Sequence, residues 1–278
     1  MRKRFLLLLL PLLSATPPAF AGSLACDGAP VDASLADRER AERLAKRAFA
    51  CVRERKALQS IALFSELIGV DPDNAHAYLN RGSTYIQAGQ LDAGFVDYGH
   101  VIKLQPDRFE GWYNRGTAYV AARQYDKAIT DLGEAIGLKP DLARAYCNRG
   151  LSYLRNKEYE KARVEFDKGL ELDVSLPLCY FGRGEIHLAD GKYRNAIEDT
   201  TRGINLKPTA EALAQRAVAY ERLGKRKKAL VDYRNARSLR PRLKEAEAGI
   251  ARLSRKSSDI SVRCFTKPVG KESDRSRT

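Results

Sequence analysis

Histidine is scarce in this chain. His76, His100 and His187 are its three copies in 278 residues, and they are scattered. None has a Cys, Asp or Ser at a spacing that suggests a metal site or a nucleophile–base pair, so the expectation is a non-enzyme. Cysteine comes to five, Cys26, Cys51, Cys147, Cys179 and Cys264, with no CxxC and no Cys/His cluster, which argues against structural zinc. A glycine-rich phosphate loop is missing, and no cofactor is expected. The one long apolar run, from Phe5 to Leu13, is interrupted by Pro11 and is too short to span a bilayer. Acid is in short supply: 35 Asp+Glu stand against 49 Lys+Arg. Disorder is also excluded as a global state, because 44% apolar residues are enough to fill a core.

The N-terminus has a directional pattern. Arg2, Lys3 and Arg4 precede the apolar run, and Ala19-Phe20-Ala21 fits a small-x-small cleavage site. Residues 1–21 therefore read as a secretory signal peptide rather than a retained anchor, with no transmembrane anchor after cleavage and the periplasm as destination. Removing them takes three basic residues and no acidic ones, leaving a net charge of +11. Export permits disulfides, and the odd count leaves at least one thiol without a partner in the same chain.

A repeat dominates the rest. Asn-Arg-Gly followed by an aromatic recurs at 80–85, 114–119 and 148–153, 34 residues apart. Extending the frame gives six units: 41–74, 75–108, 109–142, 143–176, 177–209 and 210–243. Position 8 is small throughout (Ala48, Gly82, Gly116, Gly150, Gly184, Ala217), and so is position 20 (Ser60, Gly94, Ala128, Ala162, Ala196, Ala229). Position 11 is Tyr in four units, with Cys51 and His187 as exceptions. Position 32 is Pro in five, with Val174 as the departure. Each unit holds two apolar segments of period 3.6, interrupted near position 15 by Gly or a polar residue. Small residues at 8 and 20 allow two helices to cross closely, and Pro ends the second. One hairpin cannot bury its apolar face alone, so the units must stack.

This pattern resembles the tetratricopeptide repeat family, whose unit is a pair of antiparallel helices in 34 residues. The resemblance covers residues 41–243 and implies an all-α fold: a right-handed α-solenoid of about six helical hairpins plus a C-terminal capping helix. The expected organisation is a signal peptide (1–21), an N-terminal arm (22–40), the repeats (41–243), a capping helix (244–254) and a basic flexible tail (255–278), with one short strand at 260–265. Asp32, Ala33 and Ser34 are placed to cap a helix running into 38–53.

Two further columns run in step. Position 7 is Arg in all six units, and position 23 is acidic in five (Asp97, Asp131, Glu165, Asp199, Asp232), with Leu63 in the first. The spacing predicts a repeated Arg–carboxylate pair that docks the second helix on the first, and it leaves Arg47 without that acid. A repeated ligand clamp is the alternative. Asn80, Asn114 and Asn148 at position 6 remain open between local bonding and hydrogen-bonding a bound peptide, as the family's amide does there.

The resemblance also places a peptide-binding groove on Leu79, Asn80, Ser83, Tyr113, Asn114, Thr117, Arg144, Asn148, Leu151, Arg155 and Phe181. The expected partner is another protein or peptide, with the basic C-terminal half biasing it toward acidic ones and nucleic acid disfavoured, and the expected role is a non-catalytic interaction scaffold. The family's carboxylate clamp for chaperone C-termini is absent: around Asn114 the corresponding residues are Leu79, Ser83, Arg144 and Asn148.

Residues 222–244 hold ten basic residues and one acid, Asp232. An anion-binding surface at Lys225, Arg226, Lys227 and Lys228, for anionic surfaces or nucleic acid, is the competing reading. Of the cysteines, Cys26–Cys51 is the expected bridge, tying the arm to the first hairpin. Cys147–Cys179 is disfavoured, since neighbouring inner helices sit about 8–10 Å apart.

Overall fold

A computed structural model of the chain describes residues 25–264, residue 29 excepted, with side chains through 254. The expected signal peptide lies outside these residues, as does the tail beyond Cys264. Thirteen helices and no strand occur among the described residues, as the all-α reading requires. Twelve form six hairpins: α1 (Asp37–Arg53) with α2 (Ala57–Val70), α3 (Ala75–Gln87) with α4 (Leu91–Leu104), α5 (Phe109–Ala121) with α6 (Tyr125–Leu138), α7 (Ala143–Arg155) with α8 (Tyr159–Leu172), α9 (Pro177–Ala189) with α10 (Tyr193–Leu206), and α11 (Ala210–Arg222) with α12 (Arg226–Leu239). The last helix is α13 (Lys244–Cys264). Two compact units divide the chain, one through Cys179 and one from Tyr180.

The turn inside each hairpin has one recurring device. Position 15 sits in the left-handed region every time: Arg55, Gly89, Arg123, Lys157, Gly191 and Gly224, with φ between 58° and 79°. A left-handed residue stops the helix and reverses the chain. Only three of the six are glycine, so Arg55, Arg123 and Lys157 hold a conformation that costs an L-residue about 1 kcal/mol.

Outer helices end by a second device. The residue before the position-32 proline is extended, as at Asp71 (φ −133°) and Gln105 (φ −140°), because the following ring excludes the helical conformation. Asp173 adopts the same shape (φ −152°) without a following proline. There the Ser175 amide and hydroxyl both donate to Asp173 Oδ1, at 2.8 and 2.6 Å. This side-chain turn does the work of the missing proline at Val174.

The first unit is an α-solenoid segment whose core passes from Leu44, Phe64 and Leu67 through Tyr98 and Val101 to Tyr113 and Leu132. Positions 8 and 20 make that packing possible. A Cβ on Gly94 would lie 2.5 Å from Ile86, and one on Gly150 would lie 2.9 Å from the Phe166 ring. In the second unit, Ala217, Ala229, Tyr233 and Ala236 are covered by Leu243 and by Ala246 and Leu253 of α13, which caps that end.

Two local expectations change. Asp32 and Ser34 do not cap α1, which begins after Ala36 without a side-chain cap. The Ser34 amide and hydroxyl instead donate to Asp32 and close a turn of their own. Residues 260–264 are helical rather than a strand, and α13 runs past 254 to Cys264. Residues 254–264 contain neither Pro nor Gly, so nothing breaks the helix, and the alternation of Ile260 and Val262 is too short to impose a strand.

Candidate functional site

The Arg column is a ladder of bidentate pairs. In the first unit, Nε and Nη2 donate to one carboxylate each time: Arg81 to Asp97 (2.9 and 2.7 Å), Arg115 to Asp131 (2.7 and 3.0 Å) and Arg149 to Glu165 (3.0 and 2.7 Å). The second unit repeats it with Arg183 to Asp199 (2.8 and 2.7 Å) and Arg216 to Asp232 (2.7 and 2.9 Å). A small residue at position 8 leaves room for the acid: a Cβ on Gly82, Gly116 or Gly150 would lie 3.1 Å from the Cβ of the acid opposite, and Ala217 accommodates the Arg216–Asp232 pair as well.

Aromatic rings complete the setting. The Arg115 guanidinium lies 5.3 Å from the Trp112 ring and 5.9 Å from Tyr119, and Arg81 lies 5.6 and 5.8 Å from Tyr78 and Tyr85. The carboxylate bonds push the guanidinium pKa of Arg81, Arg115 and Arg216 still higher. In two of them the remaining nitrogen reaches backwards, Arg81 Nη1 to Ser65 Oγ at 2.9 Å and Arg216 Nη1 to Thr201 Oγ1 at 3.0 Å, joining those hairpins to the ones before. The bidentate pairs themselves hold the second helix of each hairpin on the first.

Arg47 is where the pattern was expected to fail, and the N-terminal arm repairs it. Arg47 Nε donates to the Cys26 carbonyl at 3.2 Å, and Nη2 donates to the Gly28 carbonyl. Main-chain oxygens thus stand where Leu63 offers no carboxylate. The Cys26 and Cys51 sulfurs are within bonding reach, with their Cα atoms 4.6 Å apart. Lys56 bridges Asp27 and Glu54 beside them, and Glu54 also accepts from the Cys26 amide. The sequence missed the substitute because backbone carbonyls leave no mark in it.

Most of the expected groove residues are not on a surface. Leu79, Asn80, Ser83, Tyr113, Asn114, Thr117 and Asn148 are all buried. In the first unit the inner helices touch one another, α3 with α5 and α5 with α7, and these side chains fill the seam. Asn80 Nδ2 donates to the His76 carbonyl at 2.7 Å, and Asn148 Nδ2 to Thr117 Oγ1 at 3.1 Å, so both use the local bonding option. Ser83 bonds its own helix at Leu79 and lies 3.1 Å from the Tyr98 hydroxyl. Asn114 differs. It is 2% exposed, and neither Nδ2 nor Oδ1 has a hydrogen-bond partner. On the open side of the same helices stand Arg144 and Arg155, with Leu151 half-buried between them. In the second unit, Phe181 is half-buried, and its ring lies over Gly203.

The remaining candidates divide. Lys225, Lys227 and Lys228 are exposed, with Lys228 5.7 Å from the Tyr220 ring, while Arg226 donates to the Leu253 carbonyl and ties α12 to α13. His100 stacks on Tyr78 at 4.8 Å. His187 has an acidic neighbour that spacing did not suggest: its Nε2 lies 3.5 Å from Asp199 Oδ2, because it occupies the ring position beside the ladder. Cys147 and Cys179, the disfavoured pair, have Cα atoms 5.2 Å apart. The error came from using the distance between helix axes. Gly169, whose added Cβ would lie 2.7 and 2.9 Å from the two sulfurs, leaves room for them on the near sides of their helices. No His/Cys/Asp/Glu group able to hold a metal ion occurs among the described residues.

Helix pairs of fixed length, locked by a repeating Arg–acid pair, define a helical-repeat protein. Comparison with known families agrees: residues 75–108 and 143–175 each match the tetratricopeptide repeat, and residues 117–157 match a TPR repeat. Residues 75–108 and 117–175 are thus tetratricopeptide repeats. Among solved structures the chain is similar to PilF of Pseudomonas aeruginosa (17% identity, TM-score 0.68, covering 78% of this chain and 99% of that one). It is also similar to PilW, a type IV pilus biogenesis factor (16%, 0.66, 75% and 97%), and to YrrB, a TPR protein with an unusual peptide-binding site (19%, 0.51, 66% and 96%). At these identities the likeness is one of fold. No curated protein matches the chain in sequence.

Proposed function

We propose that the chain is an exported, non-catalytic scaffold that holds a peptide or helix of a partner protein along the inner helices of its first unit. Tetratricopeptide repeats serve protein–protein interaction, and the repeats here leave no room for an inserted catalytic domain. The observation that carries the site is Asn114. A buried amide with no partner costs about 1–3 kcal/mol, and its donor and acceptor together match one peptide group. Ligand entry between α3, α5 and α7 would satisfy it, while Arg144 and Arg155 at the rim favour an acidic segment. The likeness to a pilus biogenesis factor and to a peptide-binding TPR protein supports this class of role. The basic n-region, the short apolar run and Ala19-Phe20-Ala21 support export to the periplasm, where Cys26–Cys51 and Cys147–Cys179 would be oxidised.

The test is capture of partners from envelope extract by the mature protein, repeated with Arg144→Glu/Arg155→Glu. Both residues are exposed, so the variant should fold normally. We expect the captured band to be lost with the variant and with Asn114→Leu. Equal capture by all three proteins would refute the inner-helix site, and the appearance of the uncleaved 278-residue chain in the cytoplasm would refute export.

A further inference from the structure

The charge asymmetry of the sequence resolves onto one helix of the second unit. Between residues 41 and 179, 20 basic residues face 19 acidic ones, near balance. Between 222 and 244 there are ten and one, and that one, Asp232, is buried in its pair with Arg216. Of the nearby acids, Glu211 pairs with Arg240 and Glu221 with Arg252, while Glu245 and Glu247 are exposed at the start of α13. The solvent side of α12 itself carries no acid. Lys227 and Arg234 are exposed on its outermost line, and Lys228 and Arg237, about 180° apart around the axis, are exposed on its two flanks. Among them stand two aliphatic side chains, Val231 at 54% exposed and Leu239 at 57%. Val231 lies one turn from both Lys227 and Arg234, in the middle of the stripe.

We propose that this face of α12 docks on the surface of a bilayer containing anionic phospholipid. The stripe from 227 to 239 is about 18 Å long, far wider than one phosphate. A phospholipid surface offers many phosphates over that length and an apolar layer just beneath them. The cations meet the first, and Val231, on the outermost line, enters the second with Leu239 beside it on the flank, as on helices that lie in a membrane interface. An acidic polypeptide would match the charge but leaves the two aliphatics without a counterpart. No helix among the described residues is long and apolar enough to cross a membrane, so the contact is peripheral. The inference is independent of the inner-helix reading, which concerns the first unit.

The experiment is co-sedimentation of the mature protein with phosphatidylcholine vesicles, with and without phosphatidylglycerol. Each cation near an anionic surface strengthens binding by about fivefold, so Lys227→Gln/Lys228→Gln/Arg234→Gln should lower partitioning by roughly a hundredfold. Val231→Ser should lower it several-fold, and salt that cuts the screening length from ~10 Å to ~3 Å should release the protein. Circular dichroism would confirm that these surface variants remain folded. Failure to sediment at low salt, equal binding to neutral vesicles, or an unaffected triple variant would overturn the proposal. So would a clear preference for soluble polyglutamate over the anionic vesicles, which would make the stripe a polypeptide site.

Discussion

Replacing Arg115 by alanine should destabilise the third hairpin by more than replacing its partner does. Arg115 donates two bonds to Asp131, whose side chain is 5% exposed, whereas the guanidinium is 21% exposed. Breaking a buried pair from one side costs about 3–5 kcal/mol, because a charge is left without a partner out of water. Here the arginine edge touches solvent, which reduces that to about 2–3 kcal/mol for Arg115→Ala. Asp131→Ala leaves a cation that can turn to water and still lies against the Trp112 and Tyr119 rings, so about 1–2 kcal/mol is expected. The double variant should recover about 1–2 kcal/mol of the summed single costs. Urea unfolding measures this, read by circular dichroism for the whole chain and by fluorescence of Trp112, the single tryptophan, for this hairpin. Two probes are needed because repeat arrays can unfold in parts. Additive costs, or a larger loss for Asp131→Ala than for Arg115→Ala, would refute the reasoning.

Lys157→Gly should stabilise the chain by about 0.5–1 kcal/mol, since φ at this turn is 66° and glycine adopts it without strain; a lower urea midpoint would count against it. The Tyr233 phenol is held up to about 12, first by burial and then by the neighbouring Glu221 carboxylate. Its folded value lies above the unfolded value of about 10, so its contribution is complete below pH 10 and is lost as pH rises from 10 towards 12. Tyr233→Phe should therefore flatten the alkaline decline in melting temperature, and an unchanged decline would exclude Tyr233 as its cause. Non-reducing peptide mapping of periplasmic protein should recover Cys26 joined to Cys51 and Cys147 joined to Cys179; free thiols at Cys51 or Cys147 would exclude the corresponding bridge.

The ladder was legible in advance because both members of each pair carry distinctive side chains at a constant separation of 16 residues. The hairpin turns were legible only as breaks. That position 15 is left-handed even at Arg123 and Lys157 depends on the main chain, which the side chains do not announce. The burial of the groove positions was not legible, for a packing reason. Positions such as Leu79 and Thr117 face the correct side of their helices, but neighbouring inner helices close over them, and a repeat pattern does not encode that separation. For the same reason Cys147–Cys179 was ranked below Cys26–Cys51. Asn114 looked identical to Asn80 and Asn148, and only the surrounding atoms distinguish the one without a partner.

The arm's contact with Arg47 also reverses the direction in which the ladder is satisfied. In every other repeat the arginine bonds an acid 16 residues downstream, as Arg81 bonds Asp97. Arg47 finds acceptors upstream, 21 residues back at Cys26 and 19 back at Gly28. These two carbonyls precede α1, so the first arginine reaches them without any later repeat. Losing the arm would leave the N-terminal hairpin as a rung with neither an acid nor these carbonyls opposite its arginine.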